Sequence, residues 1–251
     1  MKWKSAGRLA TPPKLVLALV FVLGACGSEQ AAPPPAKTVE AAPSDLPPDL
    51  PVVGEELRIV ALGDSLFTGY GLEPGQSYPA RLEAALRARG INARITNAGV
   101  SGDTTGGGAG RLDFTLNSLQ KPPALVIISL GGNDMLRGLS PDQTRKNLDE
   151  MLGKLKARGI PVVLLGMLAA PNLGADYRGA FDPIYPALAK KHGATLVPFF
   201  LQPLIGKPKL IQADRIHPTL DGIDLMVGST VDAVAGALPK TAKSAAPPTR
   251  P

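Results

Sequence analysis

Cysteine and histidine are nearly missing from this chain. Cys26 is the single thiol in 251 residues, and His192 and His217 are the only imidazoles. One thiol excludes an internal disulfide and a paired-cysteine zinc site, and its place near the N-terminus removes cysteine nucleophiles from the folded part. No apolar run reaches the ~20 residues that a membrane-spanning helix needs. With 44% hydrophobic residues the chain is still too apolar to be disordered, and it is long enough to bury a full core. The formal charge of +6 first suggests a nucleic-acid partner. Lys2, Lys4, Arg8 and Lys14 carry four of these charges with no acid among residues 1–25, and Lys240, Lys243 and Arg250 repeat the pattern at the other end. The basicity belongs to the two ends, so no nucleic-acid partner is expected.

Those ends have their own logic. The basic start leads into the apolar run Leu15–Leu23 and then into small residues, the plan of an export signal over residues 1–25. The junction Leu23-Gly24-Ala25-Cys26 resembles the lipobox of bacterial lipoproteins, which implies cleavage before Cys26 and lipidation of its thiol. Residues 26–54 are rich in Ala and Pro, as in Ala32-Pro33-Pro34-Pro35, and read as an extended tether. Residues 239–251 read as a disordered tail. One globular domain remains, over residues 55–238.

Within that domain, apolar strands are expected at Arg58–Leu62, Ala93–Ala98, Leu125–Leu130, Pro161–Leu165 and Thr195–Val197. Helices are expected from Tyr78 to Gly90, from the capping signal Ser140-Pro141 with Gln143 to about Arg158, over Ile184–Lys191, and from near Pro218 to before Pro239. Strands alternating with helices predict a parallel sheet covered on both faces, whose ligands sit at the carboxyl ends of the strands.

The loops at those ends hold the chemistry. Gly63-Asp64-Ser65-Leu66 follows the first strand, where Ser65 is either a nucleophile or a plain turn cap. A serine nucleophile needs a base. His192 ends a basic helix at Lys190-Lys191-His192-Gly193, where a cation suits the helix dipole. His217, in Asp214-Arg215-Ile216-His217-Pro218, lies beside Asp214 if that segment makes a helical turn, and the pair serves either catalysis or helix capping. Asn97-Ala98-Gly99-Val100-Ser101-Gly102 and Gly131-Gly132-Asn133-Asp134 offer donors for an oxyanion, or ordinary turn residues. The run Gly106-Gly107-Gly108-Ala109-Gly110 fits no phosphate-binding pattern.

Taken together and in this order, these four segments resemble the SGNH (GDSL) hydrolase family. Within it, the chain is most similar to the arylesterase, acyl-CoA thioesterase I and lysophospholipase L1 group. The stretches that carry this are Ala98–Thr105, Leu130–Gly138 and Ile184–Ala189; Leu173 stands where that group often has an aromatic. The resemblance implies a three-layer α/β/α, flavodoxin-like fold with about five mostly parallel strands. It makes Ser65 the nucleophile, His217 the base and Asp214 its orienting partner. It assigns the oxyanion hole to Ser65, Gly99 and Asn133. No metal or other cofactor is expected. The implied activity is hydrolysis of aryl or short-to-medium acyl esters, with thioesters and lysophospholipids as further substrates. An envelope carbohydrate O-acetylesterase and a non-catalytic acyl- or glycan-binding lipoprotein are the alternatives. The expected setting is the bacterial envelope, with a lipid anchor at Cys26 facing the periplasm, or secretion to the periplasm without it.

Overall fold

The computed structural model describes residue 52 and residues 54–239. The signal expected over 1–25, Cys26, nearly all of the expected tether and all but residue 239 of the expected tail lie outside the described residues. No helix among the described residues is long and apolar enough to cross a membrane.

Five strands, β1 (Leu57–Gly63), β2 (Ala93–Gly99), β3 (Leu125–Ser129), β4 (Val162–Leu165) and β5 (Thr195–Val197), form one parallel sheet in the order β2-β1-β3-β4-β5. β3 and β4 are buried along their whole length, and β1 at every residue but one, because helices cover both faces. β2 and β5 are the edges and are correspondingly more exposed. α2 (Tyr78–Ala88) packs against α8 (Leu220–Ala237), while α3 (Thr105–Asn117), α5 (Pro141–Ala157) and α7 (Ile184–His192) pack side by side. Right-handed crossovers put the first pair on one face and the second group on the other, which is the expected three-layer α/β/α fold. The chain leaves β1 outward to β2, then returns past β1 to β3. The order reverses between β1 and β3, and the crevice at their carboxyl ends is the natural ligand site.

Local chemistry explains most boundaries. Ser140 caps α5 by accepting the Gln143 N–H at 3.3 Å, with Pro141 at the first helical position. Leu148, Met151, Leu152 and Leu155 form its buried face, each contributing about 1.5–3 kcal/mol by burial. Tyr78 is fully buried, and burial pushes its phenol up; its hydroxyl meets Thr230 Oγ1 at 2.7 Å and ties α2 to α8.

Helix α3 was not expected. Five residues from Gly106 to Gly110 include four glycines, at about 1 kcal/mol each in lost helix propensity. The reason is close approach: a Cβ at Gly108 would lie 2.3 Å from Leu130 Cδ1, so the small residues let α3 press against the end of β3. Three shorter α-helices also lie among the described residues: α1 (Ser65–Thr68), α4 (Gly132–Leu136) and α6 (Gly174–Phe181).

Candidate active site

Ser65 is the first residue of α1, directly beyond β1 and Asp64. Asp64 caps this short helix, accepting the Leu66 N–H at 3.0 Å. The Ser65 hydroxyl lies 2.8 Å from His217 Nε2, and His217 Nδ1 lies 2.6 Å from Asp214 Oδ2. Three residues separated by up to 152 positions thus form one hydrogen-bonded line. The imidazole side chain is 13% exposed, and the Tyr70 ring lies against it, tilted by 30°, at 4.4 Å between centroids.

The segment carrying Asp214 and His217 is not the helical turn that sequence spacing suggested. Ile211 bridges Pro218, and the Gln212 N–H donates to His217 O at 2.7 Å, closing a tight loop before α8. Asp214 Oδ1 accepts the N–H groups of Ile216 and His217, at 2.9 and 3.0 Å, so its carboxylate caps its own turn while Oδ2 holds the imidazole. The backbone and side-chain hydrogen bonds of His217 and the Ile216 N–H bring Asp214 down to about 2, so it is ionised at any working pH. Arg215, between the two, has φ 64° and is the only non-glycine residue with positive φ among the described residues. Such a backbone costs on the order of 1–2 kcal/mol for an L-residue.

Asn133 is the second residue of α4, just after β3. Its amide donates to Asp103 O at 3.0 Å and lies 3.3 Å from Asp64 Oδ2. The neighbouring Asp134 is fully buried and accepts both the N–H and the hydroxyl of Thr105, as well as the Thr144 hydroxyl. Those bonds pin α4 to α3 and α5 and thereby fix Asn133. Arg111 from α3 braces the rear of the site: it pairs with Asp103 at 2.7 Å and donates to Ala98 O and Gly63 O at 2.7 and 2.9 Å.

Gly99 is the residue that the structure does not bring to the site. β2 runs one residue further than its apolar pattern suggested, so Gly99 still lies in the ladder opposite Gly63. Its N–H donates to Asn97 Oδ1 at 2.9 Å, and a Cβ there would sit 2.8 Å from Thr68 N, against the backbone of α1. Gly99 lets α1 approach the sheet. Gly102, three residues on, lines the cavity with Ser65 and Asn133. At φ 80° it turns the loop over Ser65 in a conformation that glycine adopts freely. The N–H groups of Ser65 and Gly102 have no acceptor among the described residues. Loop position relative to the ladder, rather than mere presence of a glycine after a strand, is the signal that separates the two.

His192 closes α7, as its basic surroundings suggested. Lys191 and His192 both bind Asp149, with His192 Nε2 2.6 Å from Asp149 Oδ1, and hold that carboxyl below its usual range. His192 lies beside the amino end of β4, at the end of the parallel sheet away from Ser65. No group of His, Cys, Asp and Glu among the described residues has the arrangement of a metal site.

Burial pushes the Asp64 carboxyl up to about 6, against the opposing pull of the Leu66 N–H and the His217 charge. An unperturbed carboxyl titrates at 3.8, so the native protein binds more protons than the unfolded chain between the two values. Stability therefore falls as pH rises across that window, by on the order of 2–3 kcal/mol. Asp64→Asn keeps an acceptor for Leu66 and removes this dependence. Urea unfolding should show the variant gaining about that much on the wild type between pH 4 and pH 7; an unchanged difference contradicts the assignment.

Above Ser65 lies a cavity of about 790 Å³. Its walls are mostly apolar, with Leu66, Met135, Met167, Leu168, Phe199 and Ile205 among them. Its size falls within the range of clefts that bind small molecules. A hydroxyl aligned on an imidazole, unclaimed N–H groups, an amide and an apolar wall together suit acyl transfer.

Known proteins resemble this chain in sequence and fold. The profile of the GDSL-like lipase/acylhydrolase family matches residues 61–225. Esterase TesA of Pseudomonas aeruginosa is 43% identical over 162 residues, covering 64% of this chain and 80% of the relative. Thioesterase 1/protease 1/lysophospholipase L1 of Escherichia coli K12 is 38% identical over 163 residues, covering 65% and 76%. The crystal structure of AlinE4, an SGNH-hydrolase family esterase, shares 57% identity at a TM-score of 0.64, covering 74% of this chain and 99% of that one.

Proposed function

Because the chain belongs to the GDSL-like lipase/acylhydrolase family and is a serine ester hydrolase, we propose that it cleaves aryl and short-to-medium acyl esters through an acyl-enzyme on Ser65. The observation that carries this reading is the line Asp214–His217–Ser65, at 2.6 and 2.8 Å, on the floor of an apolar cavity. The Ser65 oxygen attacks the ester carbonyl while His217 Nε2 takes its proton; ionised Asp214 holds Nδ1–H and so fixes the required tautomer. The tetrahedral oxyanion is received by the Ser65 and Gly102 N–H groups and by the Asn133 amide. The contact from Asn133 to Asp64 is at the long end for a hydrogen bond, so this is the donor that turns to the oxyanion. His217 then gives its proton to the leaving alcohol and activates a water that releases the acid. None of these steps calls for a metal or other cofactor.

Thioesters and lysophospholipids belong to this reading through the name of the Escherichia coli relative, thioesterase 1/protease 1/lysophospholipase L1. The export signal and the Leu23–Cys26 junction support a chain lipidated at Cys26 and held in the bacterial envelope, with the domain over 55–238 carried on its tether towards the periplasm. A non-catalytic lipoprotein that binds acyl chains would need neither Asp214 nor His217 aligned on Ser65. The test is a panel on the full-length protein: p-nitrophenyl acetate, butyrate and decanoate, an acyl-CoA, a lysophospholipid and an acetylated sugar. Turnover of the short aryl esters is expected. Deacetylation of the sugar alone, or no turnover at all, overturns the reading.

A further inference from the structure

Two arginines of this chain are set apart by what they lack. Every other described arginine places its guanidinium on a carboxylate, a side-chain amide oxygen or a backbone carbonyl. Arg178 and Arg215 have no such partner among the described residues, both are exposed, and both line the cavity above Ser65. Unpaired cations are most useful beside a ligand that supplies the missing anion.

Their positions are informative. Among the described residues Arg215 is the one non-glycine residue at positive φ, a backbone that glycine would occupy without strain, and it lies between the base and its orienting carboxylate. A bulky cation kept at such a point calls for a use of the side chain. Arg178 lies on α6, a separate element that lines the same cavity. The two carboxylates in the wall, Asp182 and Asp64, form no ion pair with either guanidinium among the described residues: Asp182 Oδ1 accepts the Ala169 N–H at 2.8 Å, and Asp64 is buried on Leu66 and Asn133. Arg215 stands two residues from His217, the group that protonates the departing oxygen, so its cation belongs to the leaving-group side of the site.

We propose that Arg178 and Arg215 form an anion subsite that selects esters whose alcohol portion carries a carboxylate or a phosphate. The proposal rests on ester hydrolysis at Ser65 and names the substrate class of that site. The acyl chain takes the apolar wall, and the acidic leaving group takes the two guanidiniums at the mouth.

Matched leaving groups test it. The full-length protein is assayed on 3-carboxyphenyl butyrate, 3-phosphonophenyl butyrate and the neutral 3-carboxamidophenyl butyrate. The ratio of kcat/KM, anionic over neutral, should be about 10 or more. It should fall towards 1 in Arg215→Gly, in Arg178→Gln and at about 1 M salt, where the Debye length shrinks to ~3 Å. A preference confined to one anionic ester identifies whether carboxylate or phosphate is the natural group. Arg215→Gly relieves the positive φ, so a lost preference in a variant that unfolds at the same or higher temperature is not a folding defect. A wild-type ratio near or below 1, or one that both variants leave unchanged, overturns the proposal. Titration calorimetry on the full-length Ser65→Ala protein separates this from the hydrolysis reading. Binding there should favour the 3-carboxyphenyl over the 3-carboxamidophenyl ester by the same factor, and equal affinities overturn the subsite whatever the turnover.

Discussion

Ser65→Ala is expected to lower kcat on a short p-nitrophenyl ester by about 10⁶-fold, the loss typical when a serine nucleophile is removed from a working triad. The fold should not register the change. The Ser65 hydroxyl makes its side-chain hydrogen bond to His217, and α1 is capped by Asp64 rather than by Ser65. Alanine suits the first position of that helix, so circular dichroism and Tm should match the wild type. The unclaimed Ser65 and Gly102 N–H groups and the Asn133 amide survive in the variant, and a residual rate above that of water should come from them. Turnover within a few-fold of wild type would remove Ser65 from the chemistry.

Asp214→Asn should lower kcat by about 10⁴-fold for a different reason. Asparagine keeps an oxygen to accept the Ile216 and His217 N–H groups, so the turn before α8 is preserved. What changes is the atom facing His217 Nδ1. An amide NH₂ in place of Oδ2 makes Nδ1 an acceptor, moves the proton to Nε2 and aims an N–H at the Ser65 oxygen that needed a base. Acid should act on the same bond only under extreme conditions. Because Asp214 is held down at about 2, its contribution to the folded state is present above 3.8 and is lost only as pH falls through that depressed value. An acid limb of activity near pH 5 therefore belongs to another group. A variant as active as the wild type would make the 2.6 Å contact structural only.

Much of this was legible from residue pattern, and the omissions share a cause. β1 and β3 announce themselves as unbroken apolar runs because both faces are covered, and α5 carries its start signal in Ser140, Pro141 and Gln143. The order of Ser65, Asn133 and His217 at strand ends and before the last helix points to the site before any coordinate is known. α3 was hidden because local propensity opposes a helix through Gly106–Gly110, and the contact with Leu130 that overrides it is tertiary. That Gly99 lies inside the ladder while Gly102 lines the cavity turns on one residue of strand, finer than strand boundaries read from hydropathy. Tyr70 on the His217 ring, Arg111 behind the strand ends, and Arg178 and Arg215 over the cavity have no signature in sequence. Each acquires its meaning from what it touches, or fails to touch, across the fold.

Asp64 and Asp134 show two uses of a buried carboxyl beside one site. Asp134 is met by three donors and serves as a rigid peg for α4. Asp64 has fewer partners, is pushed up to about 6 by burial, and touches the Asn133 amide, the proposed oxyanion donor. The first serves architecture through its hydrogen bonds, whereas the second holds Asn133 in place at rest.

The most direct test is mass spectrometry after treatment with a fluorophosphonate, which phosphonylates a serine only when a neighbouring base activates it. One adduct per chain is predicted, mapped to the peptide holding Asp64-Ser65-Leu66, and it should vanish in Ser65→Ala and be strongly slowed in Asp214→Asn. An unmodified wild-type chain, or an adduct on any other serine, would contradict the account.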